Sequence, residues 1–399
     1  MSRTPSAGSH RTTRRAVLAA AAALSVSPAA RASAAAPPAP TAPRLALPAP
    51  TGPYRVGTVS LHLVDPSRPD PVAGPGRSRE LMASLWYPAR GAGRHPRAPW
   101  MAAAPLRELL TYSGFPAGLA ASPLTSGHEG APVLRHGGRL PVVVFSHAAH
   151  DHRGDNTVIV QELASHGYAV VTVDHTNDAF TQFPDGRVSV PSQDPRYGLT
   201  PGDFAADVRF VLDRVEDLDA GRNPDAGHRT LPAGLRGALD LGRVGVFGSS
   251  KGGTAAARVM YDDPRVRAGL SLDGPMEMQP AFTADLYRPF MLMTADYTRA
   301  AQPAVANLWS HLRGWRLDVR AAGAVHASYS DYQVLIPQLA QPAGMSEEDV
   351  RSWIGTLDPA RGVRIQQAYP LAFFDRHLRR RGHLLDGPSP AFPEVTFAP

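Results

Sequence analysis

The chain has 399 residues, 43% of them hydrophobic, which is enough for one large α/β domain with additions. It has no cysteine, so disulfides and thiolate metal centres are excluded. The formal charge of +6 comes largely from the first 36 residues, which carry Arg3, Arg11, Arg14, Arg15 and Arg31 and no acid; without those five the body is near +1, and the electrostatic case for nucleic acid disappears.

Residues 1–36 read as an export signal. Thr13-Arg14-Arg15-Ala16-Val17-Leu18 has the twin-arginine pattern, and the apolar stretch that follows, residues 16–30, is shorter than the roughly 20 residues a bilayer span needs. Small-residue cleavage sites follow Ala32, Ala34 and Ala36. The expectation is a secreted protein, exported through the twin-arginine route. Residues 37–52 are Pro- and Ala-rich and are expected to form an extended linker, with one globular domain spanning 53–399.

From Tyr54 the pattern becomes globular. Strands are expected at 56–64, 81–87, 141–145, 168–173, 244–247, 268–272, 290–294 and 316–320. The middle ones are continuous Val-rich apolar runs, as in strands covered on both faces of a parallel sheet. Helical patterns lie at 156–165, 201–217, 252–261, 301–313 and 363–380. Alternation of the two predicts a doubly wound, mostly parallel α/β sheet of about eight strands with helices on both faces. The first two strands lack an intervening helix and are expected to form an antiparallel edge. Stretches 88–138, 177–200 and 274–288 read as long irregular loops that wall a site. The basic run Arg376 to Arg381 reads as a solvated helix end, and His377 and His383 as surface residues.

The sharpest motif is Val244-Gly245-Val246-Phe247-Gly248-Ser249-Ser250-Lys251-Gly252-Gly253. A short apolar run ends in Gly-x-Ser-x-Gly and a small-residue helical pattern follows, which is the strand–turn–helix context of a nucleophile elbow. Ser250 is the candidate nucleophile. A serine hydroxyl needs a histidine to take its proton and an acid to orient that histidine. His326 follows the strand expected at 316–320 and is the candidate base. Two acids qualify, Asp273 after the strand at 268–272 and Asp296 after the strand at 290–294. Oxyanion donors are expected from the backbone N–H of Lys251 and from the loop Phe145-Ser146-His147-Ala148-Ala149. The Lys251 side chain is expected to snorkel to solvent. His147, His150, Asp151, His152 and Asp155 crowd one segment, but their spacing fits no zinc pattern, so neither a metal nor a cofactor is expected. No phosphate loop or dinucleotide fingerprint is present.

Further fragments run in order along the chain: Gly52-Pro53-Tyr54, Leu85-Trp86-Tyr87-Pro88, Val144-Phe145-Ser146-His147, Leu163 to Tyr168, Val173-Asp174-His175, Asp207 to Asp213, Leu270-x-Leu272-Asp273-Gly274 and Gly323-x-Val325-His326. With the elbow, these residues resemble the platelet-activating factor acetylhydrolase group of α/β-hydrolases, the plasma and intracellular type II branch with its bacterial secreted members. The resemblance implies an α/β-hydrolase fold with Ser250 as nucleophile and His326 as base. It selects Asp273 as the acid over the alternative Asp296, and Ala149 as the second oxyanion donor beside Lys251. Two departures stand out: Ser249 occupies the place of a histidine and Ala148 the place of a glycine.

The sequence therefore predicts a secreted, cofactor-free serine ester hydrolase that cleaves short-chain acyl esters, including those of phospholipids and other lipids. The alternatives are a lipase or cutinase-like polyester hydrolase and a non-catalytic secreted binding protein on a hydrolase scaffold. The expected partner is a small-molecule or lipid ester, with at most a transient contact to a lipid surface.

Overall fold

The computed structural model describes residues 42–398 except His136. β1 (Val56–Asp70) and β2 (Gly74–Pro88) form a long antiparallel hairpin. β3 (Arg97–Pro99), α1 (Ala103–Tyr112) and β4 (Leu124–Glu129) come next. β5 (Leu140–Ser146), α2 (Thr157–Ser165) and β6 (Ala169–Asp174) make the first crossover. β7 (Thr181–Gln182) and β8 (Val188–Ser189) form a small separate hairpin. Then follow α3 (Pro201–Ala220), β9 (Leu239–Ser249), α4 (Lys251–Asp262), β10 (Val266–Leu272), β11 (Phe290–Thr294), α5 (Pro303–His311) and β12 (Arg316–Ala321). The chain closes with α6 (Tyr332–Ala343), α7 (Glu347–Ile354), α8 (Pro359–Arg379) and β13 (Val395–Ala398).

The main sheet has order β13-β12-β11-β10-β9-β5-β6-β2-β1-β4-β3. The strands from β12 to β6 are parallel, and the order reverses at β5, whose two neighbours are β9 and β6. In open α/β sheets the crevice at the carboxyl end of such a switch strand is where ligands bind. β5 also shows why its run is continuously apolar. Val142 and Val144 join one core with Val208 and Val211 of α3 and Ala256 and Met260 of α4. Val143 and Phe145 join the other with Ile159 and Leu163 of α2 and Phe373 and Phe374 of α8. A strand buried on both faces loses the polar alternation of a half-exposed one.

The fold is the expected mostly parallel α/β sheet, but among the described residues that sheet has eleven strands rather than about eight. β3, β4 and β13 are short and lie in Pro-rich or polar stretches, so they carry no periodic signal of their own. For the same reason the β1–β2 hairpin is not an edge: β4 pairs parallel with β1 outside it. Residues 42–52 also depart from the linker reading. Arg44 bridges to Ala121, Leu45 is buried, and Thr51 donates through both its N–H and its hydroxyl to the Glu162 carboxylate. Proline removes backbone donors but does not prevent a segment from packing.

Helices α1, α6 and α7, which fall in stretches read as irregular or left unassigned, share a third apolar cluster built from Leu106, Leu109, Leu335, Ile336, Leu339 and Ile354. α1 packs on the β7–β8 hairpin, while α6 and α7 pack on the turn that begins at His326. His377 is another correction. Its ring lies 4.4 Å from Trp315 and 5.0 Å from Phe373, and burial pushes its pKa down to about 4.

Candidate active site

Ser250 sits between β9 and α4 at φ 51°, ψ −118°, a sparsely populated backbone conformation. The surrounding glycines explain how the chain holds it. A Cβ on Gly248 would stand 2.2 Å from the carbonyl of Gly252, and one on Gly252 would stand 2.1 Å from the Ser146 carbonyl oxygen. Both are backbone atoms, so neither contact can be relieved by a rotamer change. The Ser250 N–H donates to the Leu272 carbonyl at 2.9 Å. Because Ser249 is paired with Leu272, Ser250 and Asp273 leave neighbouring strands at the same level.

Asp273 is buried and its carboxylate is fully used. Oδ1 accepts the N–H groups of Ala295 at 2.7 Å and Tyr297 at 2.9 Å. Oδ2 accepts the Asp296 N–H at 3.2 Å and lies 2.7 Å from His326 Nδ1. A carboxylate only accepts, so Nδ1 carries the proton and the lone pair on Nε2 is free. The imidazole is 37% exposed while the Asp273 side chain is sealed, which leaves the ring accessible from one side. Tyr297 lies edge-on to it at 5.2 Å. The His326 turn is pinned from behind. Val325 N–H donates to Ser328 Oγ, Ser328 Oγ donates to the Ile354 carbonyl, and Gln366 Nε2 donates to the Ser328 and Ser330 carbonyls. Asp296, the alternative acid, contacts His326 only at the backbone, where its Oδ2 accepts the His326 N–H at 3.1 Å. Among the described residues no hydrogen bond reaches the Ser250 hydroxyl, so Asp273 and His326 are joined while Ser250 stands free at the elbow.

The loop after β5 carries Ala149, which is exposed. Among the described residues the backbone N–H groups of Ala149 and Lys251 donate to nothing, so both can serve an incoming oxygen. The neighbouring N–H groups are occupied: Ala148 donates to Asp155 Oδ2 at 3.3 Å and His150 to Asp178 Oδ1 at 2.7 Å. Burial, and then the adjacent Asp151, holds the Asp155 carboxyl well above the usual carboxylate range. The Lys251 side chain does not snorkel to solvent. Its Nζ donates to Asp178 Oδ2 at 2.5 Å and to the Leu199 carbonyl at 2.9 Å, because the buried Asp178 carboxylate lies within its reach.

The histidine- and acid-rich segment is used by the protein itself. His147 Nδ1 donates to the Ala148 carbonyl at 2.6 Å and its Nε2 accepts the His175 N–H at 3.0 Å. Burial, reinforced by His175, pushes the His147 pKa down to about 4. His152 Nδ1 accepts the Gly154 N–H, Asp151 Oδ1 accepts the Tyr332 hydroxyl, and His150 Nδ1 pairs with the Tyr112 hydroxyl. No group of metal-ligating side chains capable of holding an ion occurs among the described residues.

Sequence reasoning missed a second Ser–His–Asp chain. Ser146 Oγ lies 2.8 Å from His175 Nε2, and His175 Nδ1 lies 3.0 Å from Asp207 Oδ2. All three residues are fully buried, so no substrate reaches them. Arg79 grips Asp207 through Nε at 3.1 Å and Nη2 at 2.6 Å. Burial alone would raise the Asp207 carboxyl, but Arg79 and the His175 hydrogen bond hold it well below the usual carboxylate range. The chain pins the end of β5 beneath the elbow. The available signal was that Ser146 closes β5 and His175 directly follows the neighbouring parallel strand β6.

Comparisons with known proteins bear on the family and the fold. The sequence profile of the family described as platelet-activating factor acetylhydrolase, isoform II, matches residues 41–184 and 206–384. The chain belongs to this family. It is 26% identical over 270 residues to a probable 1-alkyl-2-acetylglycerophosphocholine esterase of Arthroderma benhamiae, an alignment covering 65% of this chain and 66% of the fungal protein. It is 22% identical over 335 residues to the platelet-activating factor acetylhydrolase of Canis lupus familiaris, covering 77% of this chain and 71% of that one. Among solved structures, a ferulic acid esterase from Streptomyces cinnamoneus superposes with a TM-score of 0.74 at 34% identity, covering 89% of this chain and 99% of that one. The fold is that of an α/β-hydrolase esterase, and the chain is a carboxylic ester hydrolase.

Proposed function

We propose that this protein is an exported serine esterase that cleaves short-chain acyl esters through Ser250, His326 and Asp273. The observation that carries the reading is the 2.7 Å contact between His326 Nδ1 and a buried, otherwise saturated Asp273, beside a serine held on a glycine-walled elbow. Ser250 Oγ attacks the ester carbonyl while His326 Nε2 takes its proton. The carbonyl oxygen becomes an oxyanion held by the N–H groups of Ala149 and Lys251. His326 then gives the proton to the departing alkoxide, and the acyl group stays on Ser250. Water repeats the sequence and releases the acid. Export rests on the Arg14-Arg15 segment, which lies outside the described residues.

A second substrate reading has one observation in its favour. The ferulic acid esterase is matched over 99% of its own length at 34% identity, which favours esters of aromatic acids. Turnover of p-nitrophenyl acetate, p-nitrophenyl palmitate and methyl ferulate by wild type and Ser250→Ala tests both readings. The expected result is highest kcat/KM on the acetate and none with Ser250→Ala. Preference for methyl ferulate transfers the assignment to aromatic esters. Wild-type turnover by a folded Ser250→Ala protein ends the serine mechanism.

A further inference from the structure

The side chain of Lys251, the only lysine of the chain, has no part in the chemistry above, yet it is built into the site. Its ammonium lies 5.1 Å over the Phe204 ring and donates to Asp178 Oδ2 and the Leu199 carbonyl. Asp178 is itself anchored: its N–H donates to the His175 carbonyl, and Phe180 N–H donates to the Asp151 carbonyl just beyond it. The other oxygen of the same carboxylate, Oδ1, accepts the N–H of His150 at 2.7 Å. One carboxylate thus holds two groups. One belongs to Lys251, whose backbone N–H is one oxyanion donor. The other is the N–H directly after Ala149, whose own N–H is the second donor.

The loop needs such a hold. His150 has φ 57°, in the left-handed region that costs a non-glycine residue free energy, and it persists only if its surroundings enforce it. Asp178 supplies a charge-assisted bond at that strained residue. The Lys251 ammonium in turn neutralises a carboxylate whose side chain is only 3% exposed.

We propose that the Lys251 side chain and Asp178 form a brace that sets the separation of the two oxyanion donors. Lys251 acts through its side chain as a positioning residue, distinct from the role of its backbone N–H, and the inference rests on the oxyanion assignment made above. A misplaced donor weakens binding of the tetrahedral intermediate more than binding of the planar ester, so the effect falls on kcat rather than KM. Loss of one donor outright costs roughly 100- to 1000-fold in kcat. A brace that shifts a donor without removing it should cost less, on the order of 10- to 100-fold.

The test uses full-length secreted enzyme with p-nitrophenyl acetate. Lys251→Met and Asp178→Asn should each lower kcat by about 10- to 100-fold with little change in KM, since each breaks the brace. The double variant should be no worse than the weaker single, because the two residues act as one unit. The inhibition constant of a trifluoromethyl ketone, which forms a tetrahedral adduct on the serine, should rise by the factor by which kcat/KM falls. Lys251→Arg should recover part of the loss. If a single variant fails to fold because it strands a buried charge, the double variant, which strands none, decides the matter. Wild-type kcat in the folded double variant overturns the brace. So does a kcat loss without a matching rise in the ketone inhibition constant, or losses that multiply in the double variant. Ser250→Ala in the same assay separates this from the underlying reading: if that protein keeps turnover, the serine mechanism is wrong whatever Lys251 does.

Discussion

Replacing Asp273 with asparagine tests the choice between two carboxylates that the sequence left equivalent. In the structure Oδ1 of Asp273 accepts two backbone N–H groups, from Ala295 and Tyr297, while Oδ2 faces His326 Nδ1. An asparagine amide can keep its oxygen on the Ala295 and Tyr297 side. Its NH2 then points at His326, which must present Nδ1 as an acceptor and move its proton to Nε2. The first orientation sets the NH2 against one backbone N–H donor, that of Asp296 at 3.2 Å, whereas the opposite orientation sets it against two closer ones, so the first is favoured. The imidazole is then locked in the tautomer that cannot take the serine proton. In a Ser-His-Asp protease of established mechanism the same change costs about ten-thousandfold in kcat, or roughly 5 kcal/mol of transition-state stabilisation at 1.36 kcal/mol per decade. Asp296→Asn differs, because Asp296 meets only the His326 backbone N–H and an amide oxygen accepts that bond equally well. Its expected cost is a few-fold. The assay is kcat and KM on p-nitrophenyl acetate for both variants, with thermal unfolding as a check on folding. A severe loss with Asp296→Asn and a mild one with Asp273→Asn would refute the reasoning and move the acid to the loop after β11.

Gly252→Ala places a methyl 2.1 Å from the Ser146 carbonyl oxygen, so it should destabilise the fold by at least about 1–3 kcal/mol in urea unfolding and lower kcat by displacing the oxyanion loop; unchanged stability would contradict the packing of the elbow. His147 is held neutral, and its depressed pKa of about 4 means that the unfolded chain binds the extra proton first as pH falls below the ordinary histidine value. Its contribution is therefore complete at neutral pH and declines between pH 6.5 and 4. The stability penalty of His147→Gln should shrink by about 3 kcal/mol between pH 7 and pH 4, with the oppositely shifted buried carboxyls Asp151, Asp155 and Asp331 cancelling in the difference; a pH-independent penalty counts against it. Replacing Arg14 and Arg15 together with lysine should leave precursor in the cytoplasm, read by fractionation, whereas normal secretion would point to the general secretory route.

Local patterns carried much of this protein. The Val-rich runs at β5 and β6 are buried from end to end because each is covered on both faces, and that pattern implied a parallel sheet. The Gly-x-Ser-x-Gly turn was legible because only glycine fits beside the backbone atoms that Gly248 and Gly252 touch. What the sequence could not settle are contacts between distant segments. Asp273 and Asp296 are alike in one dimension; they differ because the left-handed turn at Asp273, φ 46°, is met by three N–H groups of the next loop that hold its carboxylate against His326. Lys251 reads as a solvent-seeking lysine until Asp178, 73 residues earlier, is brought beside it. The buried Ser146, His175 and Asp207 come from three separate elements, and no spacing announces them. Periodicity and turn chemistry are local constraints that a chain writes into its own neighbours, whereas the partner of a buried charge is chosen by the packing of the whole sheet.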